Sequence, residues 1–280
     1  MSIIKTTMEY HQEIQLRASQ DAYKCTCHYL KIINGNPEPH ATGVLVKIDD
    51  CHFLFTAAHV SEDLQNEIVI GIEEKLTVKL GGEWTFNNLD KNQKRKDDKI
   101  DIAILKLDDE SVDYIKRQYS FINQNQLGIN HEIKNLPYYT AIGFPASKNR
   151  FNKYKGELKS SPFIYNTVPA DEKKYKDLNC KEYENLILTY EKKRVIDNQT
   201  KRKITGPDPY GISGGGVWFV PTQLVNETDI VDKKLVSILT EWSSEKNIWI
   251  STRIDLFTEV IRQKYKLGLP ESKIIKLNTN

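Results

Sequence analysis

The chain is poor in the features that announce several common functions. It has four cysteines among 280 residues, and the one close pair, in Cys25-Thr26-Cys27-His28, has no second Cys/His cluster at ligand spacing. A structural zinc site needs both halves of its ligand set, so strand alternation is the better reading of that tetrapeptide. No metal and no other cofactor are expected. No apolar run approaches the roughly twenty residues that a membrane helix needs, and the opening residues are broken by Lys5, Glu9 and Glu13, unlike a secretion signal. The reading is a cytoplasmic protein without a membrane partner, in a compartment that keeps Cys25, Cys27, Cys51 and Cys180 reduced. A charge excess is missing too. Lys+Arg 40 against Asp+Glu 38 leaves +2, which gives no electrostatic case for nucleic acid as the main partner. The basic runs "KNQKRK" (91–96) and "EKKR" (191–194) sit beside acids and read as solvated loops. Internal repeats and low-complexity tracts are absent, and none of the six histidines lies beyond His131.

What is present suits a large β-rich protein. A hydrophobic fraction of 39% with 10% aromatics can build a core. Short β-branched and aromatic runs recur between turn residues: "ATGVLVKI", "HFLFTAA", "EIVIGI", "KLTVKL", "DIAILKL", "YYTAIGF", "NLILTY", "GVWFV", "KLVSILT" and "IWISTRI". That pattern points to an all-β sandwich or barrel. Near the end, Leu256, Phe257, Val260, Ile261 and Tyr265 share one helical face, with Asp255 as the candidate cap. Residues 108–135 read as a polar connector and 146–183 as a loop-rich region. The expected organisation is an extension over 1–20 that can form a helix, β-rich halves over 21–130 and 131–265, and a tail over 266–280.

Ser213 stands out in "PDPYGISGGGVW" (207–218), a lone hydroxyl among glycines. One reading is a glycine-rich turn whose serine bonds only to its own backbone. "GISGG" also fits the G-x-S-x-G nucleophile turn of α/β-hydrolases, but that chemistry needs a histidine after the serine, and no histidine follows Ser213. A third reading uses the order His, Asp, Ser. "FLFTAAHV" puts His59 just after a buried-looking strand, behind the small residues Thr56, Ala57 and Ala58; taken alone, such a histidine is more often a packed core residue. "KIDIAILKL" sets Asp101 within an apolar strand, where an ionised carboxylate is costly without a donor. A histidine N–H would be that donor; a solvent-facing edge strand is the alternative. The interval from His59 to Asp101 lies within a few residues of the protease template, and that from Asp101 to Ser213 is roughly twenty longer.

Taken together, "GVLVKIDDCHFLFTAAHV", "DIAILKL", "AIGFP", "GISGGG", "LVSILTEW" and "STRIDLFTEVI" resemble the trypsin/chymotrypsin-like serine protease family, in its order and over roughly residues 40–262. The resemblance implies two antiparallel six-stranded barrels with a C-terminal helix. It implies His59 as base, Asp101 as its orienting carboxylate and Ser213 as nucleophile, with the backbone N–H groups of Gly211 and Ser213 as the oxyanion hole. Asp208, Thr240, Glu241 and Trp249 are expected around the primary specificity pocket, where two acids would favour a basic side chain; surface acids are the alternative. The sequence also departs from the family. Val60 stands where secreted members carry a bridged cysteine, and Ile212 replaces the acid that pairs with a newly cut N-terminus in digestive members. Control then falls to narrow specificity, to the long loops or to a regulatory protein partner. Two functions remain open: a serine endopeptidase making limited cuts in a protein or peptide substrate, or an inactive barrel that binds peptides or scaffolds a complex. Because the family includes intracellular prokaryotic members tied to stress and antiphage defence, and a Lys/Ile/Asn-rich composition suits an AT-rich genome, such a role is the expected setting.

Val60 and the reduced compartment together generate the first test. Thiol titration of the denatured, unreduced protein is expected to find all four cysteines free; a missing pair would overturn the reading.

Overall fold

The structure is a computed structural model of the chain and describes residues 6–62, 68–72, 76–89, 92–152, 154–155, 157–196, 202–223, 225–226 and 228–275. Glu67 and Lys75 in two expected strands, Lys91 in the basic run, and the ends of the expected extension and tail lie outside them. The chain opens on helix α1 (Thr7–Tyr23), started by a capping box: Thr6 Oγ1 accepts from the Glu9 N–H at 3.2 Å, and the Glu9 carboxylate accepts from the Thr6 N–H at 2.8 Å. The first sheet follows, with β1 (Thr26–Ile33), β2 (Asn36–Ile48), β3 (Cys51–Ala57), β4 (Ile68–Ile72), β5 (Leu76–Lys79), β6 (Gly82–Phe86) and β7 (Ile102–Leu107). Helix α2 (Asp109–Ile115) and the short strand β8 (Ile122–Asn123) occupy the expected connector. The rest comprises β9 (Tyr139–Gly143), β10 (Arg150–Asn152), β11 (Glu157–Lys159), β12 (Phe163–Thr167), α3 (Glu172–Asp177), β13 (Asn185–Thr189), β14 (Val195–Ile196), β15 (Lys203–Ile204), β16 (Gly216–Phe219), β17 (Lys234–Ser243), β18 (Ile248–Arg253) and α4 (Ile254–Tyr265).

Two sheets curl into antiparallel half-barrels. The first runs β5-β4-β1-β2-β3-β7-β6, with β8 beside β2 in parallel, and the second runs β12-β9-β16-β17-β18-β13. The all-β, two-barrel reading with a C-terminal helix holds, although the first barrel has seven strands along its path where six were expected. The second curls far enough that its edges meet: Thr189 and Ala170 N–H groups bond across, to Val168 O and Ile187 O at 3.0 and 2.9 Å.

The apolar runs follow from burial on both faces. Along β2 and β3, Val44, Val46, Phe53 and Phe55 join a central core between the barrels, packed on Ile142, Trp218, Ile238 and Phe257, while Leu45 and Leu54 point into the first barrel with Tyr29 and Leu105. A strand with no solvated face has no reason to alternate. The second barrel has its own interior, built on Tyr139, Leu186, Tyr190, Leu239 and Trp249. Asp255 does not cap α4. Arg253 holds that position, and Asp255 lies inside the first turn, fully buried, accepting from the Asn130 N–H at 2.7 Å and the Ser272 hydroxyl at 3.0 Å, with Arg253 Nε 3.6 Å away. A buried carboxylate needs that many partners, and two of them come from segments distant in sequence. The four cysteines are free thiols, and burial pushes Cys25 up to about 12 and Cys180 to about 11.

Burial lowers the pKa of His28, His40, His52 and His131 and makes the fold sensitive to acid, through His28 and His131 above all. His28 in β1 is 1% exposed, stacks on Phe144 at 4.7 Å and places Nδ1 3.0 Å from Ser160 Oγ. Burial lowers its pKa from 6.5 to about 3, and burial beside Arg253 takes His131 to about 4. Both rings stay neutral in the fold at a pH where the unfolded chain takes up protons. Stability is therefore full above the unfolded pKa of 6.5 and is lost as the pH falls toward 4 and then 3. The urea midpoint is expected to fall between about pH 7 and about pH 5, above the usual carboxylate range, and His28→Phe is expected to flatten that fall. A wild-type midpoint constant over this interval would contradict the assignment.

Candidate active site

The site gathers at the seam between the barrels, where β3 ends and β7, β16 and the far half of β17 begin or pass. His59 sits in the 3-10 turn Ala58–Val60 directly after β3. Its backbone N–H donates to Asp101 Oδ1 at 2.9 Å, and its Nδ1 lies 2.6 Å from Asp101 Oδ2. Asp101 is 3% exposed, whereas the His59 side chain is 36% exposed. The carboxylate is thus removed from water and satisfied by one residue through two donors, which also fixes Nδ1 as the protonated nitrogen and leaves Nε2 as the basic one.

Asp101 itself departs from the expectation. It lies just ahead of β7, in the left-handed region at φ 47°. Such a conformation costs a non-glycine residue on the order of 1–3 kcal/mol, and the loop before it offsets the cost. Asp98 Oδ2 accepts the Asp101 N–H at 2.9 Å, and Oδ1 accepts the Ile100 N–H at 3.0 Å. Asn87 caps the next residue, its Oδ1 accepting the Ile102 N–H at 2.8 Å, and its Nδ2 donates to Asp98 at 2.9 Å. Arg95 then locks Asp98 at 2.7 Å while holding Glu62 through two bonds of 2.7 and 2.8 Å. Bonds to a charged acceptor are worth about 1.5–3 kcal/mol each, so two of them outweigh the strain. The second barrel holds the same loop from its other side: Asn185 Nδ2 donates to Lys99 O at 2.6 Å and the Thr252 hydroxyl to Ile100 O. Arg95 therefore is not a solvated member of a basic run; its side chain is 13% exposed and faces two carboxylates. None of Arg95, Asp98, Asn87 and Glu62 belongs to the expected site set. The one signal in the sequence is the crowding of Asp97, Asp98 and Asp101 ahead of an apolar strand.

A cavity of about 300 Å³ opens beside the pair, lined by His59, Asp101, Thr240, Glu241, Glu62 and Arg95 among others. Ser213 is linked to the wall of this cavity by Thr240: the hydroxyl of this half-buried residue donates to Thr240 O at 3.3 Å. The backbone around Ser213 can be accounted for group by group. The carbonyls of Tyr210, Gly211, Ile212 and Ser213 accept, in turn, from Ala146 N–H, Thr42 Oγ1, Gly215 N–H and Thr42 N–H at 2.8–2.9 Å. Ile212 and Gly214 N–H groups donate to Pro209 O and Leu239 O. Among the described residues the N–H groups of Gly211 and Ser213 have no protein acceptor. A trans peptide directs its N–H opposite to its carbonyl, so tying down the carbonyls of Tyr210 and Ile212 turns those two N–H groups the other way. Gly211 has φ 91°, and a Cβ there would meet Phe144 O at 2.8 Å, which is why this position takes glycine. Ile212 is 3% exposed within the second core.

The remaining expected residues separate. Thr240 and Glu241 line the cavity, but Glu241 is paired with Lys99 at 2.5 Å. Asp208 is exposed and paired with Lys192 at 2.5 Å, with Lys192 also over the Trp242 ring. Each acid is matched by a lysine, so the negative field expected to attract a basic side chain is neutralised. Trp249 is not at a pocket wall: it is 1% exposed and stacked on Tyr190 at 4.2 Å in the interior of the second barrel. Among the described residues, no group of three His, Cys, Asp or Glu side chains could hold a metal ion, and no helix is long and apolar enough to cross a membrane.

The curled sheets, the closing helix and the His59–Asp101 pair at their seam make this a trypsin/chymotrypsin-like fold. Among solved structures, the chain is similar to granzyme C, with a TM-score of 0.51 at 14% identity over 87% of this chain and 94% of that one. It is also similar to an inactivated protease paralogue of the scabies mite, with a TM-score of 0.49 at 13% identity over 87% and 96%. At such identities the likeness is one of fold. No family model and no curated protein matches the sequence.

Removing the Asp98 carboxylate would leave Arg95 half-paired and the Asp101 turn unsupported. Asp98→Ala is expected to cost about 3–5 kcal/mol of stability in urea unfolding, the usual effect of breaking a buried pair from one side. A loss below about 1 kcal/mol, the scale of an exposed pair, would show that the turn does not depend on it.

Proposed function

We propose that the protein is a serine endopeptidase with Ser213 as nucleophile, His59 as general base and Asp101 as the group that orients it. The observation that carries the reading is the doubly bonded His59–Asp101 pair facing a cavity whose Thr240 wall also holds the Ser213 hydroxyl. In this reading Ser213 rotates its Oγ from Thr240 O toward His59 Nε2, giving up a neutral bond worth about 1 kcal/mol. The Oγ then bonds to the scissile carbonyl carbon as its proton passes to Nε2. The carbonyl oxygen becomes an oxyanion held by the free N–H groups of Gly211 and Ser213. His59 returns the proton to the leaving amine as the C–N bond breaks, and water releases the acyl group by the same steps in reverse. The substrate is a protein or peptide chain. Limited cleavage of one partner inside a cell, in stress or antiphage defence, extends the reading on the strength of the sequence resemblance.

One observation favours a second reading, a peptide-binding barrel without chemistry: the Ser213 hydroxyl rests on Thr240 O. Labelling with a fluorophosphonate separates the two. Wild type is expected to label at one site, and Ser213→Ala to lose labelling and peptide cleavage with its melting temperature unchanged. Labelling that survives the substitution removes Ser213 as the nucleophile, and a wild type that binds peptide but never labels favours the second reading.

A further inference from the structure

Thr42, in β2 of the first barrel, bonds to the Ser213 turn through both its backbone N–H and its side-chain hydroxyl. Its N–H donates to Ser213 O at 2.9 Å, and its Oγ1 donates to Gly211 O at 2.9 Å. The same Oγ1 accepts the Phe144 N–H at 2.9 Å, and its carbonyl accepts the Thr56 hydroxyl at 2.8 Å. The residue is fully buried. The Phe144 N–H can only donate, so the single hydroxyl proton of Thr42 is left for Gly211 O. The direction of that bond is therefore fixed. Space is equally constrained, since a Cβ on Gly214 would lie 1.9 Å from Thr42 O and one on Gly143 would lie 3.2 Å from Thr42 Oγ1.

We propose that Thr42 is a positioning residue: by tying the carbonyls of Gly211 and Ser213 it holds the peptide planes next to those that carry the two free N–H groups, and so keeps the turn in the conformation that presents them to the reacting carbonyl. The proposal rests on the reading of Ser213 as nucleophile and adds to it a residue on the opposite barrel. Its logic lies in what the turn lacks. Gly211 and Gly214, both at positive φ, impose little conformational preference of their own. Ile212 contributes packing but no hydrogen-bonding side chain to orient a peptide plane. Two of the four tied carbonyls in the turn, at Gly211 and Ser213, are bonded by Thr42. Without its hydroxyl, the plane between Gly211 and Ile212 keeps only the Ile212 N–H bond to Pro209 O, and the planes on either side of it, which carry the N–H groups of Gly211 and Ser213, are held less firmly. Thr42 touches neither substrate nor reacting atoms, and acts only through the turn.

The test compares Thr42→Val, which keeps the shape and removes the hydroxyl, with Thr42→Ser, which keeps the hydroxyl. Thr42→Val is expected to slow fluorophosphonate labelling and lower kcat roughly tenfold to a hundredfold, less than the roughly hundredfold to thousandfold of a removed oxyanion donor because the donors are loosened and not lost, with KM changed by less than about twofold. Thr42→Ser is expected to match wild type, and being the milder change it overturns the proposal on its own if it is as slow as Thr42→Val. A second readout does not depend on activity. Amide hydrogen exchange over residues 208–216 is expected to rise in Thr42→Val and to stay at the wild-type level in Thr42→Ser. Wild-type labelling rates in Thr42→Val, or unchanged exchange over that segment, would overturn the role. A wild type that never labels would defeat the reading of Ser213, while the exchange result would still decide whether Thr42 sets the turn.

Discussion

An almost fully buried carboxylate, Asp101, is the constraint around which the seam is organised. An ion of that kind is tolerated in the interior only where donors replace its water, and His59 supplies two, one from its backbone and one from its ring. The backbone bond fixes the turn after β3, and the ring bond fixes the imidazole. The loop that delivers Asp101 is then held from both barrels, by Asp98, Asn87 and Arg95 on one side and by Asn185 and Thr252 on the other. The Lys99–Glu241 pair also spans the seam, but it is partly solvated, and such a pair adds little to stability. Hydrogen bonds to buried groups, rather than surface charge, align the two halves.

The Ser213 turn obeys a different economy. Its carbonyls are all occupied and its N–H groups are only half occupied, an asymmetry that turns a stretch of backbone into a donor site without any charged side chain. Glycine is needed at Gly211 because a Cβ would strike Phe144 O. The first barrel contributes the bonds through Thr42, so the turn is completed only when the two barrels are packed together. His59 and Asp101 come from the first barrel and Ser213 from the second, and the chemistry proposed for them depends on that docking.

Much of the fold was legible because both-face burial leaves an unmistakable mark. Runs such as "GVLVKI" and "HFLFTAA" are apolar at nearly every position, and β2 and β3 lie between two cores. Strands with one solvated face were harder to see. β6, "GEWTF", and β12, "FIYNT", carry Glu83, Thr85 and Asn166 on partly or fully exposed positions and look like loop sequence. His59 and Ser213 were visible because small residues crowd around them. Asp101 was visible as a charge against an apolar run, but its left-handed backbone was not, because aspartate enters that region through hydrogen bonds made elsewhere in the fold. Arg95 and Thr42 were hidden for the same reason: their partners, Glu62, Asp98, Phe144 and Gly211, are assembled by topology. Trp249 was misplaced because closeness along the chain to Ser251 and Thr252 says nothing about which face of β18 it occupies; it points inward, onto Tyr190.

Ile212 ties the setting of its turn to a particular kind of force. A charge in its place would hold by Coulomb attraction, strongest in low salt and dependent on the protonation of a partner. An isoleucine buried in one core with Tyr139, Val217 and Leu239 holds instead by exclusion from water, which salt does not screen and which weakens on cooling. The turn that carries Ser213 is therefore anchored by a contact that loosens in the cold and that dissolved salt does not screen.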